Sequence, residues 1–147
     1  MVVKIINIGE GESPMSWIYE DKPFSDEQSE DYFGFVYIIT DLDTEKKYIG
    51  KKFFTKAKTK IVNKRKKRTR VQSDWLDYFG SNKLLIEEVK NKGQDKFRRE
   101  IIKLCKSKGE CSYWEAKLQF EHDVLYSDNY YNDWIMCKIA RTHLRSK

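Results

Sequence analysis

The elements read from the sequence run β-β-loop-α-β-α. That order predicts an α+β domain: a small three-stranded antiparallel or mixed sheet flanked by helices, behind an N-terminal extension. Three observations carry the prediction. Residues 35–40 and 46–50 are two β-branched and aromatic runs joined by a short polar segment. Residues 97–104 hold a third such run, with Ile101, Ile102 and Leu104. Residues 110–125 put Trp114, Leu118 and Leu125 on one helical stripe and Tyr113, Phe120 and Val124 on another, the pattern of a helix covered on two sides.

Taken in order, residues 1–33 read as an acidic extension. Val2, Val3, Ile5, Ile6 and Ile8 would make one short strand. Gly9, Gly11, Pro14 and Pro23 then argue for irregular chain, and Trp17, Ile18, Tyr19 and Phe24 for docking on a neighbouring surface. The domain proper spans residues 34–132. Its first strand, Phe35-Val36-Tyr37-Ile38-Ile39-Thr40, reads as well buried. The turn Asp41-Leu42-Asp43-Thr44-Glu45 leads to a second strand, Lys46-Lys47-Tyr48-Ile49-Gly50, which makes an antiparallel hairpin. Residues 51–73 show no period and are expected to form a long basic loop. Ser73-Asp74 would cap a short helix that Gly80 ends; Ser81 would cap the next, over 82–91, with Gly93 as its stop. Asn129-Tyr130-Tyr131-Asn132 reads as a turn, and residues 133–147 as a basic tail.

The 147 residues carry 29 Lys+Arg against 23 Asp+Glu, a formal charge of +6. The distribution is sharper than the total. Residues 1–34 hold two bases and eight acids, residues 35–45 three acids and no base, and residues 46–70 thirteen bases and no acid. Such asymmetry concerns partners rather than fold, and points to a phosphate backbone. A mobile solvated loop or a localisation-like tract is the blander account of the run. Mean hydropathy is −0.77, and no apolar run approaches the ~20 residues needed to span a bilayer, so no membrane partner is expected. The N-terminus lacks the pattern of a signal peptide. Three cysteines, an odd number without zinc-site spacing, suggest reduced thiols in a cytosol.

The hairpin carries the most specific signal. Phe35-Val36-Tyr37 and Tyr48-Ile49-Gly50 place two tyrosines 11 positions apart on paired strands, where their side chains can converge. Glu115 follows in the long helix and Asn132 after a Tyr-Tyr pair. Each has an ordinary explanation alone. The tyrosines could be core. Ser112-Tyr113-Trp114-Glu115 fits a capping box, with Ser107 a competing cap. Asn132 could be a turn residue. His122, on the same helical face as Glu115, could equally be surface or core.

In this order and spacing, the residues resemble the GIY-YIG nuclease superfamily, most closely its free-standing, phage-type, homing-endonuclease-like members. The resemblance covers residues 34–132. It implies a metal-dependent endonuclease that hydrolyses DNA phosphodiester bonds, cytoplasmic, and in an infected bacterial host if phage-encoded. It matches Tyr37 and Tyr48 to the two motif tyrosines, one of which helps deprotonate the attacking water. It matches Glu115 to the ligand of a single Mg²⁺ or Mn²⁺, and Asn132 to the asparagine near the module's end. Phe35 stands at the glycine of the first triplet. Lys58 stands where many members have arginine, so Lys52 or Lys51, beside the strand end, become the candidates for the scissile phosphate. Tyr78 is the nearest match to a further histidine or tyrosine. Lys58, Lys60, Lys64, Arg65, Lys66, Lys67, Arg68 and Arg70 are expected to contact DNA, mainly its phosphates. A phenol of pKa about 10 is a weak base unless cations lower it, and Lys46, Lys47, Lys51 and Lys52 flank Tyr48. Phe53 and Phe54 are candidates for stacking on a base or sugar. A transient homodimer and a protein partner for the acidic arm are the further partners considered. The alternative is a nucleic-acid-binding or host-inhibiting protein on the same fold that does not cut.

Overall fold

The computed structural model describes residues 16–144. The strand expected at Val2–Ile8 lies outside them. Ten regular elements follow in order: β1 (Ile18–Tyr19), β2 (Lys22–Pro23), α1 (Asp26–Ser29), β3 (Gly34–Asp41), β4 (Lys47–Phe53), β5 (Thr55–Val62), β6 (Arg65–Gln72), α2 (Lys83–Lys92), β7 (Phe97–Cys105) and α3 (Lys108–Glu121). Short 3-10 turns occupy Trp75–Asp77, Gln94–Lys96 and Arg141–His143.

The three strands expected from the apolar runs form the heart of a mixed sheet of order β2-β1-β7-β3-β4. The β3–β4 hairpin pairs Tyr37 with Gly50, Ile38 with Ile49 and Ile39 with Tyr48, while β7 pairs antiparallel to β3 on its other side. Paired residues share a face. Phe35, Tyr37 and Ile39 therefore point into one aromatic core, with Trp17, Phe24, Phe54, Trp75, Phe79 and Leu85. Val36 and Ile49 point into a second layer, beneath α3, with Cys105, Cys111 and Val124. The sheet is thus covered on both faces, which is why residues 35–40 read as continuously apolar.

Residues 16–33 belong to the same folded body. β1 adds parallel to β7. Trp17 sits edge-on to Phe35 at 4.9 Å and donates its indole N–H to the Trp75 carbonyl at 2.7 Å. Trp17 and Phe24 are core, and Tyr19 and Tyr32 pack partly buried against it.

The loop expected over residues 51–73 is corrected by the structure. It is the end of β4 followed by a separate two-stranded antiparallel ribbon, β5–β6, in register from Thr55↔Gln72 to Val62↔Arg65. The ribbon turns at Asn63 and Lys64, both at positive φ (51° and 62°), as a two-residue hairpin turn needs. Its period of two was invisible because both faces are polar and charged, leaving no apolar side to mark. One helix cap differs from expectation, and of the two open for α3 one is used. Asn82, not Ser81, caps α2 by accepting from the Leu85 N–H at 2.9 Å. Ser107 caps α3, so Glu115 lies inside the helix and Ser112 does not cap.

One buried ionic cluster ties the hairpin turn to the rest. The fully buried Asp41 carboxylate accepts from Lys92 of α2 at 2.6 Å, from the Tyr131 hydroxyl at 3.2 Å and from the Asp43 N–H at 2.9 Å. Burial alone would raise the Asp41 carboxyl; these donors outweigh it and hold it below its usual value, while burial and Asp41 push Tyr131 up to about 12. Asp41→Ala should cost about 2–3 kcal/mol in urea denaturation at neutral pH. Because the folded carboxyl is depressed, that advantage of wild type is complete above the ordinary pKa of 3.8 and shrinks as pH falls below it. A difference that instead grew on acidification would refute the account.

Candidate active site

β4 is an edge strand of the five-stranded sheet, its outer edge covered from Lys47 to Ile49 by residues 129–132, and its Tyr48 and Lys51 side chains line a polar cleft of about 370 Å³. Tyr48 enters from one face of the sheet; Lys51 and Glu115 enter from the other. Ser81, Asn82, Gln119, Asn132, Asp133, Trp134 and Met136 complete the lining. The cleft therefore brings together Tyr48, Lys51, Glu115 and Asn132 from positions spread over more than half the chain.

Strand alternation sorts the two lysine candidates. Lys51, on the α3 side, places Nζ 2.9 Å from Glu115 Oε1. Lys52, on the opposite side, places Nζ 2.6 Å from Asp74 and 4.0 Å from the centre of the Tyr78 ring. Lys52 does not line the cleft with Tyr48 and Glu115, and Lys51 does.

The two tyrosines are 6.2 Å apart by ring centroids but differ in setting. Tyr37 is buried among Trp17, Tyr48 and Tyr78 and is not in the cleft lining. Tyr48 reaches the cleft and shares a hydrogen bond with Ser81 Oγ at 3.1 Å. The cationic lowering expected for Tyr48 is not what the structure gives. Burial pushes its phenol above 10.0, only partly opposed by Ser81, and burial raises Tyr37 well above that value. The reason is geometric, since Lys51 and Lys52 each turn to a carboxylate.

Asn132 is spent on the backbone of β4. Its Oδ1 accepts from the Ile49 N–H at 3.1 Å, and its Nδ2 donates to the Ile49 carbonyl at 2.8 Å. The side-chain amide thus pairs as a neighbouring strand would, and holds the central residue of the Tyr48-Ile49-Gly50 triplet in place. Gln119 Nε2 donates to the same Ile49 carbonyl at 2.8 Å. His122 turns away, its Nδ1 lying 3.2 Å from the Tyr130 hydroxyl. Phe54 is 3% exposed within the aromatic core and is not a stacking platform. Phe53 packs against Phe33 and the second layer.

Whether these residues suit a hard divalent cation can be judged from their donors. Among the described residues, no group of three or more His, Cys, Asp or Glu could hold a metal by itself. Glu115 offers a carboxylate on a rigid helix, at the wall of an open cleft. One turn further along α3, the 4% exposed Gln119 leaves its Oε1 buried without a hydrogen-bond partner. An all-oxygen set with few protein ligands fits Mg²⁺, which retains waters and takes substrate phosphate oxygens.

Lys58, Lys60, Lys64, Arg65, Lys66, Lys67 and Arg68 all lie on the exposed ribbon, away from Glu115, with no ion-pair partner among the described residues. Arg70 is tied to the ribbon's root through Thr55, at 2.8 and 2.9 Å. No motif marked Ser81, Asn82, Asp133, Trp134 or Met136 for the cleft. Only Gln119, one helical turn past Glu115, carried a signal that could have marked it.

A family model described as "Putative endonuclease segE, GIY-YIG domain" matches residues 17–135. Searches of curated proteins and of solved structures found no match.

Proposed function

We propose, from the premise that the chain belongs to the GIY-YIG endonuclease family, that it is a metal-dependent DNA endonuclease using the cleft at the β4 edge. The observation that carries this reading is the convergence of Tyr48, Lys51 and Glu115 on one polar cleft. In this reading Glu115, with Gln119 Oε1 beside it, would hold one Mg²⁺ or Mn²⁺. The bound ion would polarise the scissile phosphate and stabilise the leaving oxygen. Lys51 Nζ neutralises charge that builds on the equatorial oxygens. Tyr48 Oη hydrogen-bonds the attacking water and accepts its proton when the phenol is ionised. Tyr37 and Asn132 position Tyr48, one by packing and the other through Ile49. Lys52 acts through Tyr78 and Asp74, outside the first contacts of the phosphate. A single cleft cuts one strand at a time, so nicking is the expected primary product and paired cuts need a transient second copy.

A plasmid-nicking assay with Mg²⁺ tests this. Because the Tyr48 phenol is raised above 10.0, its ionised fraction grows tenfold per pH unit through the neutral range. The nicking rate should climb from pH 7 to 9 without a plateau. Tyr48→Phe should lose about a hundredfold and flatten that slope. An unchanged slope in Tyr48→Phe would remove the tyrosine from proton transfer. The rival reading, a DNA-binding protein that does not cut, is favoured by one observation: Glu115 is engaged by Lys51. Intact DNA binding with no metal-dependent nicking would establish it.

A further inference from the structure

The β5–β6 ribbon stands apart from the five-stranded sheet, and among the described residues its only strand pairing is with itself. All but Thr55, Thr69 and Val71 of its strand residues are exposed. Packing among the described residues does not call for a hairpin of eight-residue strands that leaves most of its length in solvent.

Its register divides the charges in an unusual way. Lys56, Lys58, Lys60, Arg65 and Lys67 lie on one face. Lys66, Arg68 and Arg70 lie on the other, and Lys64 sits at the tip. No acid is present on either face. A ribbon lying along one phosphate backbone needs cations on one face only, and cations on its back would repel each other in solvent without gain. Cations on both faces suit a ribbon with phosphates on both sides.

That situation exists within a groove of duplex DNA. A ribbon with side chains on both faces is about 10 Å thick. The major groove is about 12 Å wide and admits a two-stranded ribbon, whereas the minor groove is about 6 Å. We propose that the β5–β6 ribbon enters the major groove of duplex DNA, one face toward the phosphates of each strand, with the Asn63-Lys64 turn leading. This rests on the DNA-cutting role proposed above and adds how the duplex is held. Only Phe54 separates β4 from β5, so a duplex gripped by the ribbon is delivered to the Lys51 end of the cleft.

The test measures duplex binding by the full chain without divalent metal, across a series of salt concentrations. Lys58→Gln/Lys60→Gln/Lys67→Gln removes three charges from one face, and Lys66→Gln/Arg68→Gln two from the other. Each set should reduce the slope of log affinity against log salt, by about 0.9 per charge removed. All five positions are exposed, and unchanged melting temperatures confirm that the variants fold. A third strand that fills the major groove should displace the protein; netropsin in the minor groove should not. A slope change from one face only means the ribbon lies on a single backbone and overturns the proposal. So does competition by netropsin with none from the third strand. If wild type fails to bind duplex at all, the DNA-cutting reading fails with it. If binding persists and neither variant set alters the slope, only the ribbon proposal fails.

Discussion

Glu115→Gln is expected to lower metal-dependent nicking about a thousandfold or more. The substitution keeps the size and shape of the side chain and removes its charge, exchanging one acceptor oxygen for a donor. An ion acting on the scissile phosphate supplies several kcal/mol of transition-state stabilisation, and ~4 kcal/mol corresponds to about three powers of ten. Lys51 would lose the carboxylate that holds it at 2.9 Å and become free to meet phosphate. Binding to DNA without metal should therefore stay constant or tighten, while cutting collapses. That split separates a metal-binding role from a purely structural one, which would weaken both together. Nicking within tenfold of wild type would place the metal elsewhere.

Gly50→Ala should be a damaging small substitution at the site end of the sheet. A Cβ at Gly50 would lie 2.5 Å from Tyr37 Oη, 2.7 Å from Tyr37 Cζ and 3.0 Å from Tyr48 Cε2. Tyr37 cannot swing aside, because Trp17 and Tyr78 pack edge-on against it at 5.2 and 6.0 Å. Overpacking of this kind costs about 2–3 kcal/mol, or roughly 5–10 °C in melting temperature for a chain of this size. The relief available is to push Tyr48 out toward the cleft, so the surviving folded protein should also cut poorly. Wild-type melting together with wild-type activity would show that the tyrosines yield more easily than their packing suggests. The glycine of the second motif triplet is thus a steric requirement of the tyrosine in the first.

The central strands were legible in the sequence because burial of β3 on both faces leaves an unbroken apolar run, and because β7 keeps Ile101, Ile102 and Leu104 together among its charges. The ribbon was not, since alternation between two charged faces has no hydrophobic contrast. The docking of Trp17 and Phe24 could be suspected from their type, but their partners, Trp75 and Phe54, lie dozens of residues away. At the site, Tyr48, Lys51 and Glu115 were legible only as a set; each alone had a better ordinary explanation. Gln119 meets the Ile49 carbonyl across 70 residues, a contact that no local pattern announces. The tyrosine pKa expectation failed for a related reason. Proximity in sequence put lysines beside Tyr48, but strand alternation places Lys51 on the other face with Glu115, and Lys52, on the same face, is held by Asp74.

The Asn132–Ile49 pairing has a consequence in time. Its partners are separated by 83 residues, and a chain made at ~5–20 residues per second needs roughly 4–17 s to pass from one to the other. In the later part of that interval, once the chain through Gln72 has emerged, the β3–β4 hairpin and the basic ribbon can exist on the ribosome, able to meet nucleic acid. The amide that fixes Ile49, and with it the line of Tyr48, arrives last. A nascent chain could grip before it could cut, so the order of synthesis itself delays the chemistry until the fold is almost whole.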